Sequence, residues 1–257
     1  MCFDTDSRPP IPPIAGGALD AARITLHADD GTSLGAFRAR AAEPAGAGAV
    51  ILPDVRGLHA FYEELALRFA EHGVDAVAID YFGRTAGTVE RGDDFQHMDH
   101  VARTTWAGVS ADIRAGAAFL RTPEAGAPRS VFSVGFCYGG RASFLASTLG
   151  LDLAGSIGFY GLPVGAGRSD IPAPIDRVAD MRGSILGLFG GADQAIPPDA
   201  VAAFDQALTD AGVDHELVTY PGAPHSFFDR KAAQYAGESE DAWAAVIDFI
   251  RDRAQGG

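Results

Sequence analysis

Six short apolar runs recur along the chain, separated by segments of helical length, and this alternation constrains the fold more than any other feature. The runs are AVILP near residue 50, VDAVAID near 76, SVFSVGF near 132, AGSIGFY near 156, SILGLFG near 186 and HELVTY near 217. Runs this short suit strands buried on both faces. The intervening segments FYEELALRFAEHG, His97–Leu120, the stretch after Gly139, AVAAFDQALTDAG and DAWAAVIDFIRDR are helical by period. Upstream, RITLHA and LGAFRAR flank Asp29-Asp30-Gly31, a hairpin signature. The expected fold is α/β: a mostly parallel mixed sheet of about eight strands with helices on both faces. In such sheets catalytic groups gather at the carboxyl ends of the strands.

No linker-like composition shift or repeat interrupts the series, so residues 18–257 are expected to form a single domain. Residues 1–17 carry Pro9, Pro10, Pro12 and Pro13, end at Gly16-Gly17, and read as an extended arm. A chain of 257 residues buries a sizeable core without covalent staples. Its only cysteines are Cys2 and Cys137, so there is neither a disulfide framework nor a CxxC metal pattern. Acidic residues outnumber basic ones 34 to 20, a formal charge of −14, which argues against nucleic-acid and anionic-membrane partners. A small anionic substrate is still compatible, because it responds to local arginines. The N-terminus lacks the basic and apolar regions of a secretory signal, and no apolar run approaches the ~18 residues of a membrane span. The expectation is a soluble, cytoplasmic protein. No GxxxxGK[ST] or strand-linked GxGxxG supports nucleotide binding.

The most informative residues are Gly135-Phe136-Cys137-Tyr138-Gly139-Gly140, between a strand and a helical segment. They form a G-x-nucleophile-x-G elbow with cysteine as its centre. Such a turn strains its central residue, and only glycines let strand and helix pack so closely. It raises the Cys137 sulfur at a helix N-terminus, which favours thiolate, and aims the Tyr138 backbone N–H at a developing oxyanion. The plainer alternative is a tight turn around a small buried cysteine. An elbow requires an acid and then a histidine after later strands. Asp193, past SILGLFG, and His225, past HELVTY, meet that order. Singly, Asp193 could cap a turn and His225 could be a surface loop residue; the ordered set of three points to a Cys137–Asp193–His225 triad.

These residues, with LPDVRGLH (Leu52–His59), AIDYFGR (Ala78–Arg84) and PGAPHSFF (Pro221–Phe228), resemble the dienelactone hydrolase family of the α/β-hydrolase superfamily. The likeness runs from the strand near 50 to the C-terminal helix. It implies hydrolysis of the ester bond of a small, anionic lactone or ester, of carboxymethylenebutenolidase type, through a thioester acyl-enzyme, with no cofactor and no metal. It further implies that Asp54, where the best-known members have glutamate, takes up the thiol proton, and that the Val55 N–H completes the oxyanion hole. Arg84 matches an arginine that binds the substrate carboxylate. Arg230 is the nearest candidate for a second one, displaced by one residue. For Asp54 the alternative is a helix cap, and for Arg84 a surface ion pair. Other functions to weigh are a broader carboxylesterase or thioesterase without dienelactone activity and a non-catalytic ligand-binding scaffold. The expected assembly is a monomer or weak homodimer.

Other signals are weaker. His97 and His100, with Asp93, Asp94 and Asp99 nearby, read as helix-surface polarity rather than a metal site. Trp106 and Phe95 suit either a pocket or the core, His59 is expected to border the site, and Cys2 is expected to be a bystander.

Overall fold

The computed structural model describes residues 7–89, 91, 92 and 94–254. Cys2 and Asp93 lie outside the described residues. The initial hairpin forms as expected: β1 (Ala18–His27) pairs antiparallel with β2 (Ser33–Ala41) around the Asp29-Asp30-Gly31 turn. The six apolar runs become β3 (Ala47–Leu52), β4 (Val74–Ile79), β5 (Ser130–Phe136), β6 (Gly155–Phe159), β7 (Ser184–Gly190) and β8 (His215–Tyr220). All eight join one sheet in the order β1-β2-β4-β3-β5-β6-β7-β8, parallel from β4 onward.

Side chains alternate across the strands and so feed two cores. Ala49 and Ile51 of β3 pack with Phe61, Leu65 and Phe69 of α1 (Ala60–Glu71) on one face. Val50 and Leu52 pack with Val109, Ile113 and Leu120 on the other. One run departs from expectation. β8 lies at the sheet edge and is only partly buried, because β7 is its one neighbour.

The chain between β4 and β5 departs too. In place of one helix over 97–120 there are a turn α2 (Gly83–Ala86), a short α3 (His97–Val101) and α4 (Trp106–Leu120). The break has a local cause, since the Thr105 side chain accepts from the Gly108 N–H and caps α4. The remaining helices are α5 (Tyr138–Ala146), α6 (Pro198–Asp210) and α7 (Ala236–Ala254). Residues 7–17 form no strand or helix; the Ile14 N–H donates to Glu71 and Arg8 pairs with Glu64, both on α1.

Aromatic packing ties the strand ends to the later loops. Phe136 at the end of β5 stacks on Phe159 at the end of β6, with centroids 4.6 Å apart. Phe228, from the loop after β8, closes against Phe159 at 4.6 Å. Each such buried ring stabilises by about 1.5–3 kcal/mol, so the loop carrying His225 is anchored to the strand that presents Cys137.

Candidate active site

At the carboxyl end of β5 the chain reverses into α5 through Cys137, whose φ of 54° and ψ of −109° lie where a side chain is strained by roughly 1–3 kcal/mol. The flanking glycines are required by contact. A Cβ on Gly135 would overlap the Gly139 carbonyl, and one on Gly139 would overlap the Leu52 carbonyl of β3. The Cys137 N–H donates to the Phe159 carbonyl at 3.0 Å, which fixes the elbow to β6. Tyr138, the first residue of α5, is among those whose N–H has no partner inside the helix.

Asp193 and His225 meet across the ends of β7 and β8. Their loops are joined by the Gly191 N–H to the Tyr220 carbonyl at 2.8 Å and the Ala192 N–H to the Ala223 carbonyl at 2.9 Å. Gly190 permits this approach, since a Cβ there would overlap the Ala223 carbonyl. The Asp193 carboxylate is buried. Its Oδ1 accepts from the Ala195 N–H at 2.8 Å, and its Oδ2 is 2.6 Å from His225 Nδ1. A carboxylate can only accept, so Nδ1 carries the proton.

Cys137, Asp193 and His225 open into one cavity of about 560 Å³, together with Val55 and Tyr138. Asp54 is fully buried and does not line it; its Oδ1 accepts from the Arg56 N–H at 2.8 Å and so shapes the turn that presents Val55. Asp54 is therefore not a cap on α1, whose capping position is His59. His59 does not line the cavity either. Burial, and then Arg56, push its imidazole down to about 4. His100 bonds Thr85 through Nδ1 at 2.8 Å and stacks on Phe95, while Trp106 and Phe95 pack against the core beneath α4.

Arg84 departs from the substrate-binding role that the resemblance implies. Its guanidinium is occupied by Asp112 of α4 and, at 2.6 Å, by Asp30 of the hairpin turn, and it does not line the cavity. The Arg84 hydrogen bond lowers Asp30 to about 2, whereas burial pushes Asp112 up to about 7 against the pull of the same arginine. This is the ion-pair alternative. Arg230 does line the cavity, joined by two residues that sequence inspection missed, Arg168 and Lys231. None of the three pairs with a carboxylate among the described residues, whereas nine other arginines do.

Arg168 stands on the loop between β6 and the Pro174–Asp180 turn, and Arg141 of α5 holds that loop. The Arg141 guanidinium, itself buried, donates to the carbonyls of Leu162, Val164, Gly165, Ile171 and Pro172. Arg141→Met is expected to leave these acceptors unmet and to lower the unfolding free energy by about 2–4 kcal/mol in urea titration. Unchanged stability would mean that the loop holds itself. Neither arginine carried a signal in the sequence beyond its position, Arg141 within the elbow helix and Arg168 in a glycine-rich stretch.

A doubly covered sheet with a strained, glycine-flanked elbow after its fifth strand defines an α/β-hydrolase. The dienelactone hydrolase family model matches residues 36–253, and the chain belongs to that family. It is a carboxylic ester hydrolase acting on a small-molecule ester or lactone. Among curated relatives, proteins named "Putative carboxymethylenebutenolidase" from Methylorubrum extorquens and Escherichia coli K12 are 29% and 27% identical. The first match covers 91% of this chain and 81% of the relative, the second 90% and 86%. The crystal structure titled "Putative Dienelactone Hydrolase" from Klebsiella pneumoniae superposes with a TM-score of 0.78 at 26% identity, over 90% of this chain and 98% of that one. A dienelactone hydrolase-like promiscuous phosphotriesterase from metagenomic libraries, at 22% identity and a TM-score of 0.73, shares the fold over 92% of this chain and 99% of its own.

Proposed function

We propose that the protein hydrolyses the ester bond of a small anionic lactone or ester through a Cys137 thioester. The observation that carries this is the strained Cys137 elbow opening into the same cavity as His225, whose Nδ1 is held 2.6 Å from buried Asp193. With Nδ1–H committed to Asp193, Nε2 is the ring nitrogen that exchanges a proton with the sulfur. The thiolate adds to the ester carbonyl. The N–H groups of Tyr138 and Val55 hold the oxyanion, and the leaving oxygen departs with the proton that the His225 imidazolium returns to it as the thioester forms. Water, its proton taken by His225, then adds to the thioester, the C–S bond breaks, and the Cys137 sulfur regains that proton as the acid is released. The thiol proton goes to His225, and Asp54, whose Oδ1 accepts from the Arg56 N–H, holds the turn that presents the Val55 N–H.

The anionic group is held by Arg168, Arg230 and Lys231, cavity cations that pair with no carboxylate among the described residues, rather than by Arg84. Arg168→Ala is expected to raise KM for cis- or trans-dienelactone about 10- to 100-fold, the scale of one charge-assisted hydrogen bond. The same variant should leave hydrolysis of an uncharged p-nitrophenyl ester within about twofold. Arg84→Ala should spare KM for the lactone. Equal losses on charged and neutral esters in Arg168→Ala would contradict anion recognition, and turnover of the neutral ester alone would favour the broader carboxylesterase.

A further inference from the structure

A buried ionisable group on the loop that carries His225 takes no part in this mechanism. Asp229 follows the Ser226–Phe228 segment and is only 4% exposed. Its Oδ2 accepts from the Tyr160 hydroxyl at 2.6 Å, and its Oδ1 accepts from the Arg230 backbone N–H. No cationic side chain pairs with it among the described residues. The Tyr160 ring in turn stands 4.8 Å from the His225 imidazole, is fully buried at its own position and lines the cavity. Tyr160 is held at a φ of 37°, the second strained residue beside the site after Cys137, and its N–H is fixed to the Leu188 carbonyl at 2.8 Å. The backbone of Tyr160 is thus fixed, and its hydroxyl reaches Asp229 of the 225–230 loop.

We infer that Asp229 is a positioning residue, which acts through Tyr160 to fix the surface behind His225 and whose charge state sets the field in which Cys137 and His225 react. This rests on the assignment of those two residues as the reacting pair. The charged and titratable groups facing Asp229 are Tyr160 from the end of β6, Asp54 from the end of β3 and His225 from its own loop. Burial is the largest influence on it and Asp54 acts in the same direction, so Asp229 holds its proton up to about 8 against the opposing hydrogen bond from Tyr160. Below that pH the site carries a neutral acid behind the imidazole. Above it a carboxylate opposes negative charge on the sulfur and keeps the proton on His225.

The test is the rate of Cys137 alkylation by iodoacetamide, an uncharged reagent, between pH 5.5 and 10. It is followed on the Cys137 peptide by mass spectrometry so that Cys2 does not contribute. Wild type and Asp229→Asn are expected to coincide within about twofold below pH 7. Above pH 8 they should separate, the wild-type profile lagging by roughly one pH unit. Tyr160→Phe lacks the hydroxyl that favours ionised Asp229, so its profile should depart from that of Asp229→Asn only at higher pH than wild type does. Profiles that superimpose, or that differ by one constant factor at every pH, would overturn the inference, since a purely structural role changes amplitude and not shape. If Asp229→Asn does not fold, Tyr160→Phe against wild type decides: an unshifted alkaline limb overturns the inference. Alkylation needs no ester turnover. A protein inert to every ester that still shows the split would defeat the proposed hydrolysis and keep this role, and an active esterase without the split would do the reverse.

Discussion

Cys137→Ala is expected to lower kcat/KM for any ester substrate by about 10⁴-fold or more, the scale at which removing a nucleophile leaves only binding and oxyanion stabilisation. Initial rates with cis- and trans-dienelactone, and with a short p-nitrophenyl ester in parallel, measure it. The substitution removes one sulfur from a half-buried position and keeps the elbow's backbone, because the turn is enforced by Gly135 and Gly139 rather than by the cysteine side chain. The melting temperature should therefore change little, which separates lost chemistry from lost structure. Activity that survives in purified Cys137→Ala, with contaminating esterase excluded, would mean that the nucleophile lies elsewhere.

Asp193→Asn is the second large effect. The buried carboxylate accepts from both the Ala195 N–H and His225 Nδ1, so it fixes which ring nitrogen carries the proton and faces the imidazolium when that forms. An amide presents an N–H₂ on one side. If that side meets His225 Nδ1, the ring must place its proton on Nε2, where it can no longer take one from the thiol. The expected loss is about 10³- to 10⁴-fold in kcat with KM much less affected. A loss confined to KM would assign Asp193 to substrate binding instead. A pH–rate profile adds a second view: wild type should require neutral His225 for deacylation, and Asp193→Asn should lose the limb that reports it.

The sheet was legible because six of its strands are short apolar runs punctuated by glycine and acidic residues, and five of these are buried along nearly their whole length. β8 deceived in one respect only: HELVTY gives no sign that, among the described residues, nothing pairs on its far side. The elbow was legible for a steric reason, since glycines at 135 and 139 are what two backbone approaches under van der Waals distance demand. Asp193 and His225 followed from chain order, and the structure brings them together. What stayed hidden depends on partners far off in sequence. Arg84 faces Asp30 and Asp112, which lie 54 residues before it and 28 after, so its position past a strand end could not distinguish an ion pair from a substrate anchor. Arg168 reaches the cavity because Arg141 gathers five carbonyls of its loop. Asp229 looks like a surface acid beside Arg230, and its burial follows from the Tyr160 hydroxyl, 69 residues upstream. Local pattern fixes strands and tight turns; loop side chains are placed by contacts that no window of sequence contains.

If Cys137 carries the acyl group, the covalent adduct can be caught before water releases it. Wild-type protein mixed with a slowly deacylating p-nitrophenyl ester and quenched in acid within the first turnover should gain one acyl mass, and peptide mapping should place it on the Gly135–Gly140 segment. The adduct should vanish in Cys137→Ala and form far more slowly in Asp193→Asn, where His225 no longer takes the thiol proton. An acyl mass on any other residue, or turnover with no covalent species under conditions where deacylation is rate-limiting, would contradict the account.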